Sequence, residues 1–182
     1  MTHLAKKLAA TLILTTAACA GATEPLERGS RWVPVSGTGV HYFSSAIIHS
    51  QTPTKTGLIQ YSTDTVELDG DIKGRVLYHP KSVFDFVAGT LVNTGSQVFS
   101  GTVLGSKPVL LHDDSFRFDV NLHTGETRGV IFLDERLAGA RIRCRLEAFG
   151  TAGEPGEDVA INYTGFCRMP GGRQRGGLGL ER

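Results

Sequence analysis

The chain has 182 residues, a length that fits a single domain of ordinary size. Hydrophobic residues make up 40% and charged residues 20%, which excludes a bundle of membrane helices and a highly charged disordered polymer. A formal net charge of +1 gives no basis for a nucleic-acid partner, and three cysteines are too few for a disulfide-dense mini-protein.

Residues 1–20 are predicted to be a cleaved signal peptide. Lys6 and Lys7 precede the uncharged run Leu8–Ala18, which is rich in Leu and Ala and ends in small side chains. This run is shorter than the roughly 20 apolar residues of a membrane-spanning helix. We therefore expect a periplasmic or secreted bacterial protein. Removal of both lysines would leave 17 basic and 18 acidic residues, a net charge of −1.

Two modes of cleavage are open. Ala18-Cys19-Ala20 and Ala20-Gly21-Ala22 both satisfy the small-x-small rule for ordinary signal peptidase. The segment from Thr15 to Cys19 also resembles a bacterial lipobox, which implies a lipid on Cys19 and a membrane-anchored lipoprotein. Acyl chains on Cys19 would hold the domain stably at a membrane surface. No other contact with a membrane is expected.

Residues 21–169 are predicted to form one all-β domain. Runs rich in Val, Ile, Phe, Tyr and Thr are broken every eight to twelve residues by Gly, Asn, Asp or Pro. One helical turn is predicted at residues 134–139, and residues 170–182 are predicted to be a flexible Gly/Arg tail. The candidate strands are Trp32–Val35, Val40–His49, Thr56–Leu68, Ile72–His79, Ser82–Val92, Gln97–Leu104, Val109–Leu111, Ser115–Leu122, Thr127–Leu133, Ala140–Phe149 and Val159–Cys167.

Three tight turns predict consecutive hairpins, at Asp69-Gly70, at residues 93–95 and at Thr124-Gly125. A two-residue loop at Thr124-Gly125 would pair Phe118 with Ile131. Several glycines fall inside the strand runs, where a bent sheet tolerates them better than a flat one. We therefore predict an antiparallel meander that closes into a β-barrel of about eight to ten strands, with a β-sandwich as the alternative. These glycines are Gly57, Gly74, Gly89, Gly101, Gly129 and Gly165.

Two cysteines are expected to form a disulfide. Apolar and polar residues alternate along residues 141–149 and again along residues 159–167, as in half-buried strands. A hairpin in which paired residue numbers sum to 311 places Cys144 opposite Cys167 with both side chains inward. The bridge would close a loop of about 24 residues and contribute roughly 3 kcal/mol in the chain-entropy model. Two buried free thiols are the alternative.

No catalytic motif is present, so candidate site residues are scattered. Asp85 lies in an apolar run, where burial would displace its pKa and suit it to acid or base chemistry, although solvent exposure is the simpler reading. His112 and Asp114 would lie on one face of a strand, where they could share a cation or another bound ligand, while Asp113 would lie on the other face. The alternative for this acidic segment is a solvated turn. We expect no metal or other cofactor.

The remaining charged residues are predicted to lie on the surface. His41, His49, His79 and His123 have no companion at ligand or triad spacing and are interpreted as strand-end or surface residues. Arg141, Arg143 and Arg145 share one strand face, and the register above brings Arg168 opposite Arg143. This arginine face is either a polar outer surface or a site for an anionic lipid or glycan.

Residues 118–129 read FDVNLHTGETRG and resemble the closing motif of CHRD domains, which are secreted β-rich modules. That motif has Val-Asn-Val-His-Thr followed by Gly-Glu-Ile-Arg-Gly, usually with several residues between the two parts. Those intervening residues are absent here. We interpret the resemblance as a shared hairpin chemistry and not as membership of the family.

The leading functional hypothesis is an exported, non-enzymatic barrel that binds a small, largely apolar ligand, because small barrels can hold one such molecule. An isomerase, cyclase or hydrolase with Asp85 as its acid or base is one alternative. A structural protein of the cell envelope is the other. The lining of the barrel interior distinguishes the three.

Overall fold

The computed structural model describes residues 31–134, 142–151 and 157–170. These residues form one antiparallel meander in which each strand pairs with the next and β1 pairs with β8, so that the sheet closes into a barrel. The predicted barrel is thereby confirmed, and the sandwich alternative was wrong. The strands are β1 (Arg31–Pro53), β2 (Gly57–Gly70), β3 (Ile72–Asp85), β4 (Thr90–Val103), β5 (Val109–Asn121), β6 (Glu126–Asp134), β7 (Arg143–Thr151) and β8 (Val159–Met169).

The signal peptide, Cys19, Arg141 and the tail from residue 171 lie outside the described residues. Of the predicted helical turn, only Asp134 is described, and it ends β6. No helix in the described ranges is long and apolar enough to cross a membrane.

The strand β1 is long because its first part pairs with β8 and its later part with β2. Residues 31–41 pair with β8, and residues 37–42 pair with β2 before an irregularity shifts the register. The predicted break between Val35 and Val40 is therefore wrong, since the strand continues through it. A Cβ on Gly37 would lie 2.1 Å from the Asp69 carbonyl oxygen and 2.4 Å from the Tyr163 hydroxyl. Gly37 thus permits close packing where the sheet closes.

The hairpin between β3 and β4 turns at residues 86–89 and not at residues 93–95, which lie inside β4. The Asp85 carboxylate accepts hydrogen bonds from the backbone N–H groups of Val87 and Ala88, at 3.0 and 2.8 Å. Gly89 then adopts a φ of 66°, which glycine tolerates best. The apolar residues between Ser82 and Val92 predicted one continuous strand. The strand is instead interrupted by a turn at residues 86–89, because the Asp85 carboxylate caps that turn.

The β5–β6 hairpin is present, but its register differs from the prediction. Four residues, Leu122–Gly125, connect the strands, and Phe118 lies opposite Gly129 instead of Ile131. The Asn121 side chain accepts hydrogen bonds from the backbone of His123 and Thr124 and so extends the turn. The shift of two residues leaves the buried faces unchanged because side chains alternate with a period of two.

The predicted register of the last hairpin is confirmed. Cys144 pairs with Cys167 and Arg143 with Arg168. The two cysteine sulfur atoms are within bonding distance, and both residues belong to the apolar core. The disulfide therefore crosses between adjacent strands on the inner face of the barrel.

The two ends of the barrel differ. We call one end the terminal end, because β1 begins and β8 ends there; it also carries the β2–β3 and β4–β5 connections. We call the other end the loop end. It carries the other described connections, around residues 54–56, 86–89 and 122–125. The interior near the terminal end is filled with tightly packed side chains. The most deeply buried apolar residues there include Ile72, Phe99, Val103, Leu111, Leu133, Leu146 and Cys167.

Tyr163 joins β8 to the β2–β3 turn at the terminal end. Its buried hydroxyl accepts a 2.8 Å hydrogen bond from the backbone N–H of Ile72, and it lies 3.0 Å from the Ile72 carbonyl oxygen and 3.3 Å from that of Asp69. Burial raises the pKa of the Tyr163 phenol, so the group remains a donor. One side chain on β8 thus forms hydrogen bonds with the backbone of the β2–β3 turn, which lies on the opposite side of β1.

We predict that Tyr163→Phe lowers the free energy of unfolding by about 1 to 3 kcal/mol, because the buried backbone groups at Ile72 lose their partner. Urea denaturation measures the change. Tyr61→Phe is the matched control, since Tyr61 is exposed on the outer face. An equal effect of the two substitutions would contradict this role of Tyr163.

Candidate functional site

The half of the barrel toward the loop end encloses a cavity of about 1250 Å³. Its wall combines inward-facing side chains from the strands with residues of the β3–β4 and β5–β6 turns. The volume lies above the range of about 300 to 1000 Å³ that is usual for small-molecule pockets. The interior therefore has a filled half and an open half.

Most of the cavity wall is apolar. Aromatic rings and aliphatic side chains come from nearly every strand, so that the apolar surface surrounds the space instead of forming one stripe. Tyr78, Phe116 and Phe118 pack ring against ring at its base, with centroids 4.6 to 6.0 Å apart. The apolar lining residues are Phe43, Ile48, Val66, Leu68, Val76, Phe84, Phe86, Leu91, Phe118, Val120, Leu122, Ile131, Leu133, Leu146, Val159 and Ile161.

Buried polar side chains lie on only one side of the barrel. Among the described residues, those that are almost fully buried all come from β2 to β5, whereas the inner face of β6 to β8 is apolar except for Thr127 and the Tyr163 hydroxyl. We call this group of buried polar side chains the polar wall; of its members, Asn93 and Gln97 line the cavity, beside apolar side chains from the same strands. The buried polar residues are Ser62, Asp64, Ser82, Asn93, Gln97 and Asp113.

His41 and Asp64 form a pair beside the cavity. The His41 Nε2 atom lies 3.3 Å from Asp64 Oδ2, and the side chains are 13% and 4% exposed. The His41 ring stacks on Phe43 with centroids 3.9 Å apart and meets the Tyr78 ring edge-on at 5.4 Å. His41 lines the cavity, so its interpretation as a surface or strand-end residue was wrong.

Tyr78 lies between the pair and Asn93. Burial raises the pKa of the Tyr78 phenol well above 10, the charge of Asp64 raises it further, and the Asn93 amide offsets part of the rise. Tyr78 therefore stays protonated. Asn93 lines the cavity, and no described protein group donates a hydrogen bond to Asp64 Oδ1 or Asn93 Oδ1. These two buried acceptor oxygens could therefore accept a hydrogen bond from a bound molecule.

The charge of the lining is distinctive. Glu157 belongs to the wall and Asp64 lies behind His41, but the described lining residues include no Lys or Arg. An anionic group inside the cavity would meet these carboxylates, and the described lining would offer it no permanent cation. Such burial is unfavourable. The lining suits an uncharged molecule, or one with a hydrogen-bond donor.

Asp85 does not line the cavity. It is half-buried in the β3–β4 turn, and a hydrogen bond from the backbone of Ala88 lowers the pKa of its carboxyl, with further lowering by Thr56 and Val87. A carboxylate that is held ionised in this way caps a turn. The expectation of a buried carboxyl with a pKa suited to acid chemistry is not met here.

His112 and Asp114 flank Asp113 in a bulge of β5, where the pairing with β4 and β6 is irregular. Asp113 points inward and is 1% exposed, so this segment is not a solvated turn. Asp114 is exposed and His112 is half-buried. Neither lines the cavity, and Asp85 lies at the loop end, so the three predicted ligand residues do not form one site.

Asp113 instead stabilises the bulge. One carboxylate oxygen accepts hydrogen bonds from the backbone N–H and hydroxyl of Ser115, at 2.7 and 3.1 Å. The other accepts from Gln97 Nε2 at 3.1 Å and from the backbone N–H of Phe132 at 2.8 Å. Four donors compensate for the burial of this charge.

Across the described ranges, no group of three or more His, Cys, Asp or Glu side chains is arranged to hold a metal ion.

No protein-family model matches the chain, and no curated protein or solved structure is significantly similar to it. The case for a function consequently depends on the geometry of the cavity.

The polar wall was missed in the sequence, although a signal for it exists. Asp64 is in phase with Val66 and Leu68, and Gln97 is in phase with Phe99, so polar side chains occupy inward positions of apolar strands. Polar and charged side chains are rarely buried without a hydrogen-bonding or charged partner. The contact between His41 and Asp64 has no signal in sequence spacing, since it crosses from β1 to β2 beside a bulge.

We predict that Asp113→Asn lowers the free energy of unfolding by about 2 to 4 kcal/mol, because an amide presents its own donor to groups that donate to the carboxylate. Asp114→Asn is the control, since this neighbour is exposed. Urea denaturation of both variants tests the prediction. Similar losses in the two proteins would show that the Asp113 hydrogen bonds do not stabilise the bulge.

Proposed function

We propose that this protein is an exported, non-enzymatic barrel that binds a small, largely apolar ligand in the cavity at its loop end. The observation that carries the proposal is the apolar lining of a space of about 1250 Å³ that the side chains leave open. An eight-stranded barrel can either fill its interior or enclose one small molecule. This barrel fills its interior near the terminal end and leaves a cavity near the loop end, which supports the proposal.

The export part of the proposal has separate support. The sequence of residues 1–20 has the pattern of a secretory signal, and the two cysteines of the barrel lie at bonding distance. Disulfides persist in oxidising compartments such as the periplasm or the outside of the cell. A lipid on Cys19 would place the same domain at a membrane surface.

The lining of the cavity suggests the character of the ligand. Its apolar body would lie against β6 to β8, where Ile131, Val159 and Ile161 face the space. A hydroxyl or amine would face the acceptor oxygens of β2 to β4, including that of Asn93. A carboxylate would find no lysine or arginine among the described lining residues.

A second candidate is an enzyme that uses His41 as a general base. The specific observation in its favour is the 3.3 Å contact with Asp64, which orients the imidazole beside an apolar cavity. Native mass spectrometry followed by extraction distinguishes the candidates. A binding protein returns a retained ligand unchanged, whereas an enzyme converts it and loses that conversion in His41→Gln. A purely structural role has less support, because the loop half of the barrel is not filled.

We predict saturable binding of diphenylhexatriene, an uncharged hydrocarbon that fluoresces in apolar surroundings. The double variant Leu91→Trp with Val159→Trp should weaken this binding about tenfold or more, because both side chains face the cavity and indoles would occupy it. Fluorescence titration measures the dissociation constants.

Val92→Trp with Ala160→Trp is the matched control for the probe experiment. These residues are the next ones along the same two strands and are less buried, as expected for side chains on the outer face. The control variant should bind the probe like the unmodified protein. Binding that is absent in all three proteins, or equal in all three, would contradict a ligand site in this cavity.

We further predict a preference for the head group. Octanol should displace the probe at a concentration about tenfold lower than octanoate, since the described lining residues offer the buried anion no lysine or arginine. Both competitors have the same chain length, and both are compared by the same displacement titration at pH 7. Equal displacement would show that the charge of the lining does not select the ligand.

A further inference from the structure

Two adjacent rows of outward-facing side chains cross β6, β7, β8 and β1 near the terminal end. In the first row, Phe132 lies opposite Arg145, Arg145 opposite Phe166, and Phe166 opposite Pro34. Directly opposite residues of an antiparallel pair point to the same face. In the second row the order is Asp134, Arg143, Arg168 and Trp32. We call these eight residues the arginine–aromatic patch.

The patch exposes large aromatic surfaces in water. Trp32, Phe132 and Phe166 are 53%, 43% and 56% exposed. The Arg145 guanidinium lies over the Phe132 ring, 5.7 Å from its centroid. Isolated exposed apolar residues are ordinary on a protein surface, but three aromatic rings on two neighbouring rows form a contiguous feature.

The charge of the patch is positive. It contains three arginines and one carboxylate, and that carboxylate, on Asp134, accepts a 3.2 Å hydrogen bond from Arg143 Nε. Arginine beside tryptophan and phenylalanine is the composition found where proteins meet the polar headgroups of a membrane, since the rings enter the interface and the cations stay with the phosphates. An anionic lipid surface matches both properties.

The position of the patch agrees with this partner. Trp32 follows the first described residue, Arg31, so the N-terminal segment joins the barrel at the border of the patch. Cys19 lies at most about 40 Å upstream along a fully extended chain. If Cys19 carries a lipid, the anchor holds the patch close to the same membrane.

We propose that the arginine–aromatic patch docks the barrel side-on against an anionic lipid surface. This contact is additional to a lipid on Cys19 and does not depend on it. Membrane attachment generally becomes stable when two weak signals combine, such as an acyl chain and a basic surface. The proposal is also independent of any ligand in the cavity, because none of the eight residues lines it.

Trp32 provides a direct test because it is the only tryptophan in the chain. The protein would carry Cys19→Ser so that no lipid can be attached, and would be mixed with vesicles of phosphatidylcholine with or without phosphatidylglycerol. We expect sedimentation with the anionic vesicles only. We also expect the Trp32 emission to shift to shorter wavelength and to become shielded from acrylamide.

Two matched pairs of variants locate the contact. Arg145→Glu should weaken binding about thirtyfold, the effect of two unit charges close to an anionic surface. Arg128→Glu makes the same charge change on the outer face at the loop end and should have little effect. Phe166→Ser should weaken binding about tenfold, while Phe149→Ser, at the loop end of β7, should not.

Several results would overturn the proposal. These are no binding to anionic vesicles, equal binding to both kinds of vesicle, binding that leaves the Trp32 emission unchanged, or equal losses within a matched pair. Circular dichroism verifies that each variant is folded. The emission of Trp32 in the protein without barrel substitutions decides the question even if a variant fails to fold.

Discussion

Closure of the sheet between β1 and β8 is the constraint on which the rest of the structure depends. Residues 37–41 of β1 are hydrogen-bonded to β2 on one side and to β8 on the other. Gly37 allows Tyr163 to approach, and the Tyr163 hydroxyl reaches across to the backbone of Ile72. Because the closed sheet has no free edge, every inward side chain must either pack or border a cavity.

The closed sheet then divides its interior along the barrel axis. Large apolar side chains fill the terminal half, and the Cys144–Cys167 pair holds β7 to β8 there. Toward the loop end, Ser62, Ser82 and Asn93 occupy inward positions that larger apolar side chains would otherwise fill. Short polar side chains at these positions leave space and provide hydrogen-bonding groups. The packed core and the cavity therefore lie in opposite halves of one barrel.

Much of the fold is predictable from period-two patterns, since a half-buried strand must alternate. The pairing of Cys144 with Cys167 follows from two such patterns that demand the same register. Turns are less predictable: Asp85 caps a turn inside an apolar run, while residues 93–95 look like a turn but continue β4. The site is least predictable, because the contact of His41 with Asp64 depends on a bulge and on closure, which no local pattern encodes.

The positions of the cavity and the arginine–aromatic patch have a joint consequence. The patch lies near the terminal end, where Arg31 enters the barrel, whereas the cavity extends toward the turns at residues 86–89 and 122–125. A barrel that docked side-on through Trp32 and Phe166 would leave the cavity outside the contact, because none of the eight patch residues lines it. If both proposals hold, a small apolar molecule would reach the cavity without passing through the patch, so that a membrane-bound domain could still exchange it with soluble donors or acceptors.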